Sequence, residues 1–306
     1  MKHKIILIIT LIICSTTFGQ ITEANYKIYS TKLQKEVSIK DIIIEMENND
    51  VLFYGEEHND SVTHFLEYKI LEEMNIKFPN KIALSLEMFD REVQRIMNEY
   101  LSGLILEKHF KKDARVWSNY SDYRQMVELA KKNKFSVLCA NAPTRYTNIA
   151  GRFGQKALEK LSLEAKKYIA PLPYDTATGL YHDKLSPLST QNMKQVSDSS
   201  TSKMPANKMQ SFNLVMAQSL WDATMAYTIF EYSKQNIGIK IFHVNGRFHS
   251  DEKFAVVTQL KKYSPKTKIL NISSFSDDSF PNIDWEKYKH LGDYIIITDP
   301  KVPRTY

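Results

Sequence analysis

Acids, imidazoles and amides gather at the ends of short apolar runs in this 306-residue chain. Val51–Tyr54 leads through Gly55 into Glu56, Glu57 and His58, with His64 six residues further on. The run Lys81–Phe89 carries Glu87, Phe135–Ala140 stops at Asn141, and Ile239–Val244 passes through Asn245 and Gly246 to His249. Three chemistries fit such a set. Glu56, His58, Glu87 and His249 supply two carboxylates and two imidazoles, enough to hold a hard or borderline divalent metal ion. The same four are the candidate catalytic residues of a hydrolase, in which a histidine–carboxylate pair activates water as general base. Alternatively the edge binds a ligand such as haem, whose iron takes His, Tyr or Met. No HExxH, P-loop or GxSxG occurs, so the well-marked hydrolase classes gain no support.

These groups meet only if strands aim them the same way. Val51–Tyr54 has the length and residue types of a buried strand, and Gly55 allows a tight exit. Asp60 or Ser61 can cap a helix running through Phe65, Ile70, Leu71 and Met74. Ser38 with Asp41 marks a capped helix before it. Further helices are expected at Arg91–Leu101, Asp122–Lys132, Ile149–Lys167 (in two pieces), Ser211–Gln235 and about Glu252–Tyr263. Further strands are expected at Lys268–Ser273 and Tyr294–Thr298, and Ile21–Val37 reads as a hairpin or an irregular arm. The alternation predicts an α/β fold, a mainly parallel sheet flanked by helices, with a helical portion and a long lid-like segment. Open sheets of this kind bind ligands beyond the carboxyl ends of their strands. For Asn141 or Glu57 alone, capping a neighbouring helix is the better reading. Gathered together, Glu56, His58, Glu87 and His249 point to a site, because acids and histidines are costly to collect without a task.

Other residues take supporting roles. His64, one turn before Tyr68, is either bonded locally or stands behind His58. The longest helix, Ser211–Gln235, is apolar around most of its circumference and should be buried. Gln218 and Asp222 lie one turn apart on it; they are satisfied by backbone groups or look into the site and orient a side chain there. His243 is mid-strand and suits packing. Residues 171–210 change character, with Pro171, Pro173, Pro187 and Pro205 among Ser, Thr, Lys and Met. Such a stretch is a long loop or lid. Tyr174, Tyr181 and His182, with Met193 and Met204, are what a lid closing over an apolar planar ligand would carry. Lids also cover enzyme sites, so this feature does not separate the readings.

Composition bounds the rest. With 43% hydrophobic and 25% charged residues the chain is ordinary globular material. Lys2 and Lys4, the apolar run Ile5–Ile13 and small residues up to Gly19 read as a signal peptide over residues 1–19, leaving 20–306 as a single domain. The run is too short to span a bilayer. Export to the periplasm or cell envelope is therefore expected. A lipid anchor at Cys14 is not, because Ile13 stands where a lipobox wants a small residue. The remaining Cys139 reads as a small buried hydrophobe. The net charge of +6 falls to +4 without Lys2 and Lys4, and no long basic run occurs, so no nucleic acid is expected as a partner.

Gly55-Glu-Glu-His58 with His64, Leu86-Glu87-Met88, Trp117, Ala140-Asn-Ala-Pro143, Ala217–Ala226 and Val244-Asn-Gly-Arg-Phe-His249 together resemble the ChaN family. These are haem-binding uptake proteins of the group that also holds the Tiki/TraB-type proteins and the erythromycin esterases. The match runs over about residues 40 to 275. The resemblance implies haem as cofactor, a haem or iron source as partner, and a part in iron or haem uptake. It leaves room for an outer-membrane uptake partner and for a homodimer. By position, Glu56, His58, Glu87 and His249 would form the site that Tiki-type relatives use for metal-dependent peptidase chemistry and esterase relatives for activating water. ChaN-type haem ligation uses a tyrosine, for which Tyr174 and Tyr181 are the candidates.

Overall fold

Largely apolar runs make the central strands, because a strand covered on both faces favours apolar side chains at most positions. In β3 (Val51–Glu56) every residue is buried. Leu52 and Tyr54 face one apolar layer and Val51 and Phe53 the other, as the two-residue strand period requires. The computed structural model describes residues 21–186 and 212–306. Within them lie β1 (Tyr26–Ser30), β2 (Lys35–Val37), β3, β4 (Ile82–Asp90), β5 (Ser136–Asn141), β6 (Lys240–Gly246), β7 (Ile269–Ser276) and β8 (Tyr294–Thr298). They form one sheet in the order β2-β1-β8-β7-β3-β6-β4-β5. From β8 to β5 all neighbours are parallel. The hairpin β1–β2 adds an antiparallel edge. The expected mainly parallel α/β sheet is thus present, and Ile21–Val37 is the hairpin rather than the irregular arm.

Helices cover both faces. On one side α1 (Ile39–Glu45), α2 (Ser61–Lys77), α3 (Gln94–Leu101), α4 (Glu107–Asp113) and α5 (Tyr120–Asn133) bury Ile42, Leu66, Ile70, Met97, Phe110 and Met126. On the other lie α6 (Thr144–Phe153), the short α7 (Leu163–Lys166), α8 (residues 179–186), α9 (Leu214–Gln235) and α10 (Ala255–Tyr263). Asp60 starts α2 by accepting from the amides of Val62 and Thr63 at 2.9 and 3.2 Å. Ser38 and Asp41 form the expected capping box at α1.

Some boundaries differ from expectation for local reasons. Arg91–Val93 is a 3-10 turn before α3, and α6 begins at Thr144 and ends at Phe153, followed by Gly154, whose φ of 75° suits glycine. Asn213 caps α9 through Met216. The chain leaves β6 after Gly246 into a 3-10 turn, Arg247–His249. Of the expected lid, 171–178 is irregular and 179–186 helical. Met193 and Met204, like the expected signal peptide and Cys14, lie outside the described residues. Among the described residues no helix is long and apolar enough to cross a membrane.

One topological fact positions the site. Strand β6 inserts between β3 and β4, which puts Glu56 opposite Gly246 and Leu86 opposite Val244. The carboxyl ends of three strands thereby stand side by side. Glu87 sits where the β4–β5 register slips between Leu86 and Asp90.

Candidate functional site

Two anchored imidazoles face one another across the ends of β3, β4 and β6. The first is His58. Its Nδ1 donates to Glu56 Oε1 at 2.6 Å, and the Tyr123 hydroxyl from α5 donates to the same oxygen at 2.7 Å. With Nδ1 tied to Glu56, Nε2 is the ring nitrogen left toward the cavity, and no described residue hydrogen-bonds to it. Trp117 packs edge-on to the ring, with centroids 5.4 Å apart. Burial works against a charged ring, but the bond from Glu56 and the charges of Glu87 and Glu56 outweigh it, so the pKa of His58 is raised.

The second is His249. Its Nδ1 lies 2.6 Å from Asp222 Oδ1 and its Nε2 3.4 Å from Glu87 Oε1. Asp222 in turn accepts from the Tyr181 hydroxyl at 2.8 Å. Burial opposes charge on His249, yet the two carboxylates prevail and hold its pKa well above the ordinary value. Glu87 also accepts from the Gly246 amide at 2.7 Å. Burial raises the Glu87 carboxyl, but the charge and bond of His249, then the charge of His58, bring it down to about 2.

Between the two rings opens a cavity of about 420 Å³, lined among others by Glu56, His58, Glu87, Trp117, Trp221 and His249. Asn141 and Gln218 also line it. The amide oxygen of Asn141 accepts from the Ala142 amide at 2.9 Å, so part of this side chain serves the turn after β5. Gln218 Oε1 is buried without a hydrogen-bond partner among the described residues. The Gln218–Asp222 face of α9 thus looks into the site, and Asp222 orients His249.

The sequence-based quartet is brought to one cavity, but its ligand atoms do not close on a single point. Both nitrogens of His249 face carboxylates, and His58 Nδ1 is held by Glu56. Among the described residues the group whose ligand atoms all lie within 4.8 Å of one another is Glu56, His64 and Glu67. A metal on Glu56, His58, Glu87 and His249 is therefore not what the geometry favours. His64 stands behind His58, with its Nε2 3.1 Å from the His58 carbonyl oxygen. Asn245 supports the turn instead of lining the cavity, donating to the Gly246 carbonyl and to Ser250 Oγ. His243 packs as expected, 2.8 Å from Ser85 Oγ and edge-on to Phe53.

The haem-ligand candidates stand elsewhere. Tyr174 is buried among Tyr146, Ile169 and Leu220, and its hydroxyl points to the Met216 carbonyl at 3.5 Å. The Tyr181 hydroxyl is held by Asp222, and burial with that charge pushes its pKa far up. His182 is exposed beside Asp183. None of the three lines the cavity between the imidazoles. Against that, His58 Nε2 is a nitrogen donor facing it, with the indoles of Trp117 and Trp221 in its walls. The described residues can meet a haem iron there.

Fold and site define an α/β protein with an acid–imidazole cavity beyond the carboxyl ends of a parallel sheet. A family model described as haem-binding uptake, Tiki superfamily, ChaN matches residues 42–260, and the chain belongs to that family. Among solved structures it is similar to ChaN of Campylobacter jejuni, described by its cofacial haem binding. The TM-score is 0.62 at 18% identity, covering 90% of this chain and 98% of that one. More distant are an erythromycin esterase, EreC, in its open conformation (TM-score 0.47, 9% identity, 90% and 99% covered) and the type III effector HopBA1 (0.45, 10%, 85% and 93%). No curated protein is matched by sequence.

Proposed function

We propose that this chain is an exported haem-binding protein of the cell envelope, serving iron or haem uptake, and that haem sits at the mouth of the strand-edge cavity against His58. Family membership supports the ligand class. The observation that carries the position is the tie between Glu56 and His58 Nδ1, which turns the unpartnered Nε2 toward the cavity. Bound haem would supply an iron that takes an imidazole nitrogen. The chain supplies the rest: Glu56 fixes the ring and its tautomer, Tyr123 holds Glu56, and Trp117 and Trp221 offer apolar faces. The cavity opens to the surface, so a haem seated on His58 would keep an outer face exposed. A homodimer, with a second copy covering the outer face, would complete its burial.

Titration of hemin into the full chain tests this. A Soret shift saturating near stoichiometry, and lost in His58→Ala, is the expected result. Saturation that survives His58→Ala places the ligand elsewhere, and a non-saturating rise sinks the haem reading. A second reading, hydrolysis, draws on a separate observation, the pair of anchored rings flanking Glu87. In it His58 Nε2 takes the proton of an attacking water. Any peptidase or esterase activity detected should then fall by several orders of magnitude in His58→Ala or His249→Ala.

A further inference from the structure

Beneath His58, away from the cavity, three buried groups turn their polar atoms toward one another. His64 Nδ1 lies 3.1 Å from Glu67 Oε2 and 3.4 Å from Glu56 Oε2. Glu56 is 1% exposed, Glu67 0% and His64 6%. His64 Nε2 lies 3.1 Å from the His58 carbonyl oxygen, which can only accept, so Nε2 carries a hydrogen and, in the neutral ring, Nδ1 presents a lone pair. Glu56 Oε1 already accepts from His58 and Tyr123, while its Oε2 has no hydrogen-bond partner. Glu67 Oε1 is likewise buried and unpartnered.

A cation at its centre would satisfy this arrangement; the alternative is a proton held on Glu67, whose carboxyl pKa is pushed well up by burial and the charge of Glu56. Metal–ligand bonds of about 2.1 Å place adjacent ligand atoms roughly 3.0–3.4 Å apart, the separations His64 Nδ1 shows here. The other ring nitrogen is fixed by a backbone carbonyl, as metal-bound histidines commonly are. We infer that Glu56 Oε2, His64 Nδ1 and Glu67 form a binding site for a divalent transition-metal ion of the zinc class. The set comprises one imidazole and two carboxylates, with two of its ligands one turn apart on α2. It excludes His58, Glu87 and His249. Because Glu56 would bind the ion through one oxygen and His58 through the other, the metal would set the orientation of His58 from behind.

The test is titration of chelator-stripped full-length protein with Zn²⁺ alone, read by metal analysis, competition with a chromophoric chelator and thermal unfolding. One zinc per chain and a higher melting temperature are expected. Affinity should drop roughly tenfold or more in the near-isosteric Glu67→Gln and in His64→Gln. It should hold in Glu87→Gln. The inference is overturned if the wild type takes up no zinc, if Glu67→Gln binds as tightly as wild type, or if Glu87→Gln abolishes uptake instead. Should a variant fail to fold, the zinc-dependent melting shift of the wild type decides, and its absence means that protons alone satisfy the cluster. Hemin titration reads His58 Nε2, so this site and the haem reading can fail separately.

Discussion

His58 and Gly246 approach so closely that a Cβ built on the glycine would lie 2.7 Å from His58 Nε2 and 3.7 Å from Glu87 Oε2. The first contact is with a partly exposed side chain, which can move, rather than with backbone. Gly246→Ala should therefore fold with near wild-type stability while swinging the imidazole aside. A displacement of about 1 Å can cost on the order of a hundredfold in a reaction that depends on position. Hemin affinity, or any hydrolytic rate, should fall well over tenfold with an unchanged circular dichroism spectrum. Wild-type binding in this variant would show that the Nε2 position is unimportant.

Gly55 makes the opposite case. Its added Cβ would meet the Cα of Arg247 at 2.8 Å and Ser250 Oγ at 2.8 Å, and the first of these is backbone. Gly55→Ala must push the 3-10 turn that carries His249 away from β3. Overpacking of this kind costs about 1–3 kcal/mol. The urea midpoint should drop accordingly, and a midpoint equal to wild type would mean that the turn is softer than the contacts imply.

Glu87 and then Asp222 favour the charge on His249. Asp222→Asn keeps the shape but removes one of the two carboxylates that favour the imidazolium. The titration of His249, followed by NMR of its ring, should move down toward the ordinary range. Removing one partner of a buried pair costs about 3–5 kcal/mol. Tyr181→Phe removes only the hydroxyl bond to Asp222 and should cost about 1 kcal/mol. A His249 titration unmoved in Asp222→Asn would assign its proton to Glu87.

His243 sets an acid limit on the fold. It is fully buried, and burial lowers its pKa from 6.5 to about 3. Above pH 6.5 the ring is neutral whether folded or not, and stability is unaffected. Between 6.5 and 3 the unfolded chain binds a proton that the fold refuses, so stability falls as pH falls, by about 1.4 kcal/mol per unit for this group. Glu87 adds to the same trend lower down. Its carboxylate stabilises fully above about 4.5 and ceases to do so as pH drops through about 2. Urea midpoints at pH 7 and pH 5 should differ more in wild type than in His243→Gln, and equal differences would refute this account.

Glu56, His58, Glu87 and His249 were legible because each follows an apolar run, and parallel strands aim the ends of such runs alike. Asp222 could be narrowed to two readings because it is an acid on a helix that is apolar around most of its circumference. Glu67 and Tyr123 escaped notice because helices bring them in, where strand periodicity says nothing. The available signal was Glu67 three residues after His64, flanked by Leu66 and Ile70 on a buried face. Tyr174 and Tyr181 stood out for the reverse reason. An aromatic in a Pro- and Ser-rich stretch looks available for a ligand, yet both rings pack and both hydroxyls find partners inside the protein.

Strand β6 separates β3 from β4 in space but follows both in sequence, after all of α2 to α9. A nascent chain therefore cannot zip its central strands in the order in which they emerge. Until the segment around residue 246 arrives, β3 and β4 lack their shared neighbour, and Glu56 and Glu87 lack the wall that joins them. A product truncated before that point would carry the acids without the second ring, and with bare sheet edges.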